Sequence, residues 1–419
     1  MAILTDVSPL RHSRQFRLLY TGQAVSLVGS VVTTVTAPFQ LHEITGSTWQ
    51  VGLLSLVQLP VLFAGSIVGG PLADAYDRRR VLFVVEMVML AASAGLAWNA
   101  VSDHPRAWPI YVLTALVAGL TGIDAPARSA CIPAMVGAAD LPGALALTQL
   151  LHQFGFVVGP ALAGLILKLG APSAAYTFDV ATFVVSLGFI ARLGPQVPLG
   201  GVTKAGLSSL LEGWRYLHGE RAVQGTFAID INAMVFGMPR ALFPEMARST
   251  FGGGGGTYGL LSAAPAAGAV VGAVTLGWVT RVERQGRAVF LAVICWGAAI
   301  VLFGISPWLW LALLMLALAG WADAISAVFR NTILQLSVPD RFRGRLGAVH
   351  IAVVTGGPRL GDVEAAGVAA VSDVRIAAWT GGLACIAGCA VVARAFSELV
   401  RWRVSVDGGR HEIAVAGET

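Results

Sequence analysis

Ionisable side chains inside long apolar runs are the residues best placed to do chemistry in this chain. Glu86, Asp124, Asp179, Asp230, Asp323, Arg359 and Asp362 each interrupt such a run, and His152 and Glu364 join them. A charge in hydrocarbon costs about 2.5–3.5 kcal/mol on insertion scales, so such residues mark proton, ion or substrate paths by default. Desolvation favours the neutral form of a buried acid. An acid near the middle of a bilayer can therefore take a proton from one side and release it to the other. A structural reading stays open: Asp124 stands one helical turn before Arg128, and Arg359 lies close before Asp362. Uncharged polar residues accompany the acids. Gln23, Ser30 and Thr34 in the first run, Gln58 in the second and Gln149 in the fifth are candidates to line a cavity. The hydroxyls among them can instead bond their own helix backbone. No nucleophile–base pair or metal-ligand cluster stands out, which argues against an enzyme. The five glycines Gly252–Gly256 lack the Lys and Ser/Thr of a phosphate loop and read as an external turn. With no ATP motif and no cofactor site, energy has to come from an ion gradient or a partner.

The elements that hold these residues must be transmembrane helices. The 419 residues are 56% hydrophobic and only 12% charged, against about 25% charged in soluble proteins. Lipid has to be the solvent for much of the chain. Spans of about 20 apolar residues fall near 16–41, 50–72, 80–101, 108–130, 144–169 and 174–193. A second set falls near 223–247, 257–280, 287–306, 308–330, 345–371 and 374–396. A β-barrel would show alternating segments of about 10 residues; these runs are longer and continuous. The first run is too long for a signal-peptide core and reads as a retained helix. The fold class is therefore an all-α membrane protein of twelve transmembrane helices in two six-helix bundles.

Charge orients the spans. Placing both termini inside puts 22 of the 28 basic residues on the cytoplasmic side, Arg128 and Arg330 among them, with four outside and two within spans. That is the bias the positive-inside rule demands, and it removes any need for a nucleic-acid partner. Cys131, Cys295, Cys385 and Cys389 all sit in or beside apolar runs and read as packing residues.

The two sets of spans echo each other. Asp74–Arg78 after span 2 matches Glu283–Arg287 after span 8. Gly159–Pro160 in span 5 matches Gly357–Pro358 in span 11, and Asp140 after span 4 matches Asp340 after span 10. Asp124 and Asp323 both sit late in the fourth span of their half. A duplicated six-helix unit is how many secondary transporters are built. The expected domains are a bundle over 1–193, a cytoplasmic linker over 194–222, a second bundle over 223–396 and a cytoplasmic tail over 397–419.

The stretch Gly70-Pro71-Leu72-Ala73-Asp74-Ala75-Tyr76-Asp77-Arg78-Arg79-Arg80 resembles the loop signature of the major facilitator superfamily. Ala75 replaces the usual Arg and Asp77 the usual Gly. The second departure is common in the drug-and-siderophore exporter branch. Phe16-Arg17-Leu18-Leu19, Asp124-Ala125-Pro126-Ala127-Arg128, Pro239-Arg240-Ala241-Leu242-Phe243-Pro244 and Arg343-Gly344-Arg345 also look like that branch. Gly155, Gly159 and Pro160 resemble the antiporter motif of span 5, which closes here on the single Gly164 where two glycines are usual. The resemblance implies a secondary transporter with no cofactor, monomeric in the family's manner, working by alternating access in the cell inner membrane. Its partners would be protons, the lipid bilayer and a small amphipathic substrate. It gives Gly70, Asp74, Asp77, Arg78, Arg79 and Arg128 a gating role at the cytoplasmic face, and makes the span-5 motif a kink that lets spans 5 and 8 slide. An uptake or facilitated-diffusion carrier, or a non-transporting receptor or scaffold, remains an alternative on the same fold.

Overall fold

The computed structural model describes residues 6–198, 217, 219–407 and 410–413. Most of the expected linker and part of the expected tail lie outside the described residues. A short helix α1 (Ser8–His12) leads into six long helices: α2 (Arg14–Thr45), α3 (Thr48–Ala75), α4 (Arg78–Val101), α5 (Ala107–Met135), α6 (Leu141–Leu169) and α7 (Pro172–Ile190). Then come α8 (Arg221–Phe236), the short α9 (Phe243–Glu245), α10 (Gly255–Thr275), α11 (Gln285–Ile305), α12 (Leu309–Ser337), α13 (Asp340–Val371), α14 (Val374–Ala395) and α15 (Ser397–Arg401). The tail adds an antiparallel hairpin of β1 (Val404–Asp407) and β2 (Arg410–Ile413), an element the apolar pattern did not announce. Ten of the described helices are long and apolar enough to cross a bilayer. α8 and α13 fall where the seventh and eleventh spans are expected. α8 is short, at 16 residues, and α13 carries Arg359, Asp362 and Glu364.

Helix ends follow local chemistry. Ser13 caps α2 by accepting from the Phe16 amide at 3.1 Å, and its hydroxyl donates to the Met135 carbonyl at 2.7 Å. Asp373 caps α14 through the Arg375 amide at 2.8 Å. Gly46 ends α2 in the left-handed conformation at φ 63°, which costs a glycine nothing.

The expected continuous span over 223–247 is broken. α8 stops at Phe236, and a 3-10 turn (Arg240–Leu242), α9 and a π turn (Met246–Thr250) follow. Pro239 lacks an amide donor and disfavours a helical residue before it. Side chains satisfy the freed backbone groups, as burial requires. Trp296 Nε1 donates to the Gly237 carbonyl at 2.8 Å, and the Ala241 amide donates to Asp362 Oδ1 at 3.1 Å.

The chain divides into two compact units. The first holds Met1–Gly46, Leu56–Gly206 and Gly253–Ala263; the second holds Ser47–Ser55, Leu207–Gly252 and Ala264–Thr419. In the first, α2 packs on α5, α6 and α7, and α4 packs on α5 and α7. In the second, α11 packs on α12 and α14, and α8 packs on α13 and α14. The division between Gly206 and Leu207 falls within the expected 194–222, while the start of α3 groups with the second unit and the start of α10 with the first.

Glycines set the closest approaches within each unit. A Cβ on Gly155 would meet the Leu27 side chain at 2.8 Å, and one on Gly159 would overlap Val31. Gly164 faces Gly259 of α10, where a Cβ would lie 2.5 Å from the Gly259 Cα. In the second unit a Cβ on Gly357 would meet Met234 Sδ at 2.9 Å. The fifth helix of the first set thus lies on α2 as the eleventh expected span lies on α8, each through glycines beside a proline.

Candidate functional site

In the first unit the centre is Arg128, a buried guanidinium 6% exposed. Its Nε donates to Asp124 Oδ2 at 2.5 Å, one turn back on α5, and its Nη2 pairs with Glu86 of α4. Ser186 of α7 donates to the same Glu86 oxygen at 2.9 Å. Glu86 is 1% exposed. Among the described residues, the other Glu86 oxygen and Asp124 Oδ1 have no hydrogen-bond donor. His152 lies within electrostatic reach of Arg128 and Asp124, and its Nε2 sits 3.4 Å from the Gln23 amide.

The sequence placed Arg128 with the cytoplasmic loop cluster and among the topology-setting charges. The structure buries its side chain: α5 runs on to Met135, and Arg128 lies inside it against the two carboxylates, two residues from Ala130, whose carbonyl accepts from Arg78. Arg330 is interior in the same way. α12 continues to Ser337 and Arg330 is 4% exposed. Its Nη2 lies 3.1 Å from Asp230 of α8 and 3.4 Å from Asp323, and its Nη1 donates to Ser326 at 3.1 Å. Removing two arginines from a tally of 22 leaves the basic bias intact.

Asp179 of α7 is a different kind of site. It is 1% exposed, and no cation pairs with it among the described residues. Hydroxyls hold it instead. Thr33 of α2 and Ser93 of α4 each donate to Oδ2 at 2.7 Å, and Thr182 approaches Oδ1 at 3.4 Å. Gly29 makes room for it, since a Cβ there would stand 2.6 Å from Asp179 Oδ1.

Asp362 accepts from Ser55 at 2.7 Å and from the Ala241 amide at 3.1 Å, both within the second unit. Among the described residues Arg359 and Asp362 make no hydrogen bond or close ion pair: Arg359 Nη1 donates to the Thr355 carbonyl of its own helix at 2.8 Å. Glu364 is half-buried on the same helix.

The loop signature is built from backbone contacts. Asp77 is the N-cap of α4, accepting from the Arg79 amide at 3.0 Å, and it also accepts from the Gln196 amide at 2.9 Å. Arg78 Nε donates to the Ala73 carbonyl at 3.1 Å and its Nη1 to the Ala130 carbonyl at 2.9 Å. Arg79 donates to the Ala191 carbonyl at 2.6 Å. Asp74 is half-buried near the end of α3, four residues after Gly70. The cluster therefore ties α3, α4, α5 and the end of α7 together inside the first unit.

The cavity candidates divide. Gln23 meets His152, and Gln58 donates to Thr114 at 3.1 Å. Thr34 bonds the Ser30 carbonyl at 2.8 Å, the backbone alternative, although its side is open to its surroundings. Ser30 is half-buried and Gln149 exposed. Sequence reasoning missed Arg330 as an interior residue, and Ser93 and Ser186 as partners of the acids. The seven-residue spacing from Asp323 to Arg330, two turns along one helical face, was the available signal for the first.

A family model described as transmembrane secretion effector matches residues 4–404. The enterobactin exporter EntS of Shigella boydii serotype 18 is 30% identical over 367 residues, 88% of each chain, and that of Escherichia coli O81 matches to the same extent. Among solved structures, a POT family transporter in complex with 5-aminolevulinic acid superimposes with a TM-score of 0.73 at 9% identity, covering 92% of this chain and 97% of its own. The nucleoside transporter NupG gives 0.69 at 12% identity, covering 91% and 99%. Those likenesses show the fold. Buried ion pairs inside long apolar helices, the loop signature and the end-to-end match make this a multi-pass inner-membrane transporter and not an enzyme. The chain belongs to the transmembrane secretion effector family of the major facilitator superfamily.

Proposed function

We propose that this transporter exports a small amphipathic molecule of the siderophore, drug or secondary-metabolite class, driven by the inward proton gradient. The observation that carries the reading is the 30% identity to enterobactin exporters across 88% of the chain. Proton coupling draws on the buried acids Asp179, Asp230 and Asp362 and the partly buried Asp124 and Asp323, any of which can carry a proton where a free charge is costly. In this reading twelve spans form two bundles, 1–193 and 223–396, with both termini cytoplasmic. The bundles alternate access to a midplane cavity, as duplicated carriers do. Gly70, Asp74, Asp77, Arg78 and Arg79 form the cytoplasmic latch, and the protein works as a monomer with no nucleic-acid partner.

The test is export from a deletion strain and from everted membrane vesicles, using enterobactin and a panel of amphipathic drugs as probes. Accumulation in acid-inside vesicles that stops when a protonophore collapses the gradient is the expected result. Transport that ignores the gradient removes the proton; net uptake by intact cells reverses the direction.

A further inference from the structure

Both sequence halves bury one arginine between two carboxylates. Glu86, Arg128 and Asp124 form the first cluster, and Asp230, Arg330 and Asp323 the second. The arginines are 202 residues apart and Asp124 and Asp323 are 199 apart, spacings close to the other internal echoes. A histidine attends each cluster. His152 is within electrostatic reach of Arg128, and His350 of Arg330, and these histidines are 198 residues apart. The remaining carboxylate comes from a different helix in each half, Glu86 from α4 and Asp230 from α8, so the charge count recurs although the helix supplying it does not.

That count is uneven. Two carboxylates against one guanidinium leave each cluster one negative charge in excess. An uncompensated charge in a buried site costs several kcal/mol even after relaxation. The second cluster also shows where a ligand would sit. Asp230 is 1% exposed, and among the described residues neither of its oxygens has a hydrogen-bond donor, its contact with Arg330 being electrostatic only. The charged groups around it are Arg330 and Asp323 on α12 and His350 on α13; α14 contributes the thiols Cys385 and Cys389, near Asn232. None of these supplies a second positive charge while His350 is neutral.

We propose that Asp230, Asp323 and Arg330 form a second proton-exchange centre, matched to Glu86, Asp124 and Arg128, so that each half binds one proton in its cluster. Binding forms one O–H bond on a carboxylate oxygen and takes the cluster from one negative charge to neutral. Release into water restores it. The inference refines the proton-coupled reading above, but it concerns proton occupancy and can be measured without a transported substrate.

The experiment is pH-titrated infrared difference spectroscopy of the purified full-length protein in lipid, counting carboxyl groups through their C=O stretch. Asp230→Asn leaves Arg330 balanced by Asp323 alone, so the count drops by one carboxyl per chain. Asp323→Asn does the same and serves if Asp230→Asn does not fold. Arg330→Gln leaves two bare acids, so the count rises by one. Glu86→Gln removes a separate carboxyl, and its loss adds to that of Asp230→Asn. The proposal is overturned if monodisperse Asp230→Asn and Asp323→Asn proteins both keep the wild-type count, or if Glu86→Gln alone abolishes the whole signal. A failed gradient-driven export assay with an intact titration rejects coupling and leaves the second centre standing.

Discussion

Asp77 shows how one residue can be read from sequence as a departure and from structure as a function. A glycine is usual at that place in the signature. Here the carboxylate caps α4 and holds the Gln196 amide. Replacing an N-cap Asp with Ala costs about 0.5–2 kcal/mol, whereas Asn caps equally well. Asp77→Ala is expected to lower the thermal midpoint in detergent, and Asp77→Asn to leave it close to wild type. Asp179 gives a second residue-scale expectation. In Asp179→Ala the Thr33 and Ser93 hydroxyls lose their buried acceptor, at about 1–3 kcal/mol for each group left unpaired. Asp179→Asn keeps an acceptor oxygen. A thermal melt in which Ala falls well below Asn supports the hydroxyl cage; equal melts remove it. Legibility differed sharply at this scale. The Asp124–Arg128 pair was visible as one helical turn. Glu86 and Asp230 were visible as costly charges, but their pairings with Arg128 and Arg330 were not, because pairing across helices depends on packing that no local spacing encodes.

At the scale of elements, proline and glycine placement decided most of what the sequence made visible. The expected and observed helix ranges agree for the long apolar runs, where a single signal dominates. They part at 237–250, where Pro239 breaks the helix and Trp296 and Asp362 satisfy the exposed backbone. Hydropathy averages over such a break. The ends of α5 and α12 were also missed, because each helix continues past its apolar core through a charged turn. The face of α6 is testable. Gly159→Leu forces a branched side chain into Val31, and overpacking costs about 1–3 kcal/mol. Gly188→Ala in α7 meets nothing within 4 Å and gains about 1 kcal/mol of helix propensity. The first is expected to reduce thermal stability and export together; the second is expected to preserve export and raise the melt slightly. If Gly159→Leu transports normally, close packing of α6 on α2 is not needed for the cycle.

For the whole molecule, the basic bias of the loops is the strongest topological argument and invites a direct check. With the N-terminus inside, the turn after α4 faces out and the turn after α5 faces in. Both Asp103 and Gly137 are exposed. Asp103→Cys is expected to react with a membrane-impermeant maleimide on intact cells, and Gly137→Cys only after permeabilisation. The reverse pattern inverts the topology. The molecule's division into compact units was less legible than its helices. The start of α3 and the start of α10 group away from their sequence neighbours, an exchange that helix counting cannot see.

The two arginine clusters carry a further consequence, for voltage. A charge that crosses the membrane field is worth about 2.3 kcal/mol for each 100 mV. With its proton bound, each cluster is neutral and the field does no work on it. Without it, each cluster presents one negative charge to the field. The potential therefore acts on the empty carrier rather than the proton-loaded one, and a voltage step applied without transported substrate should draw transient current in proportion to the fraction of clusters left unprotonated.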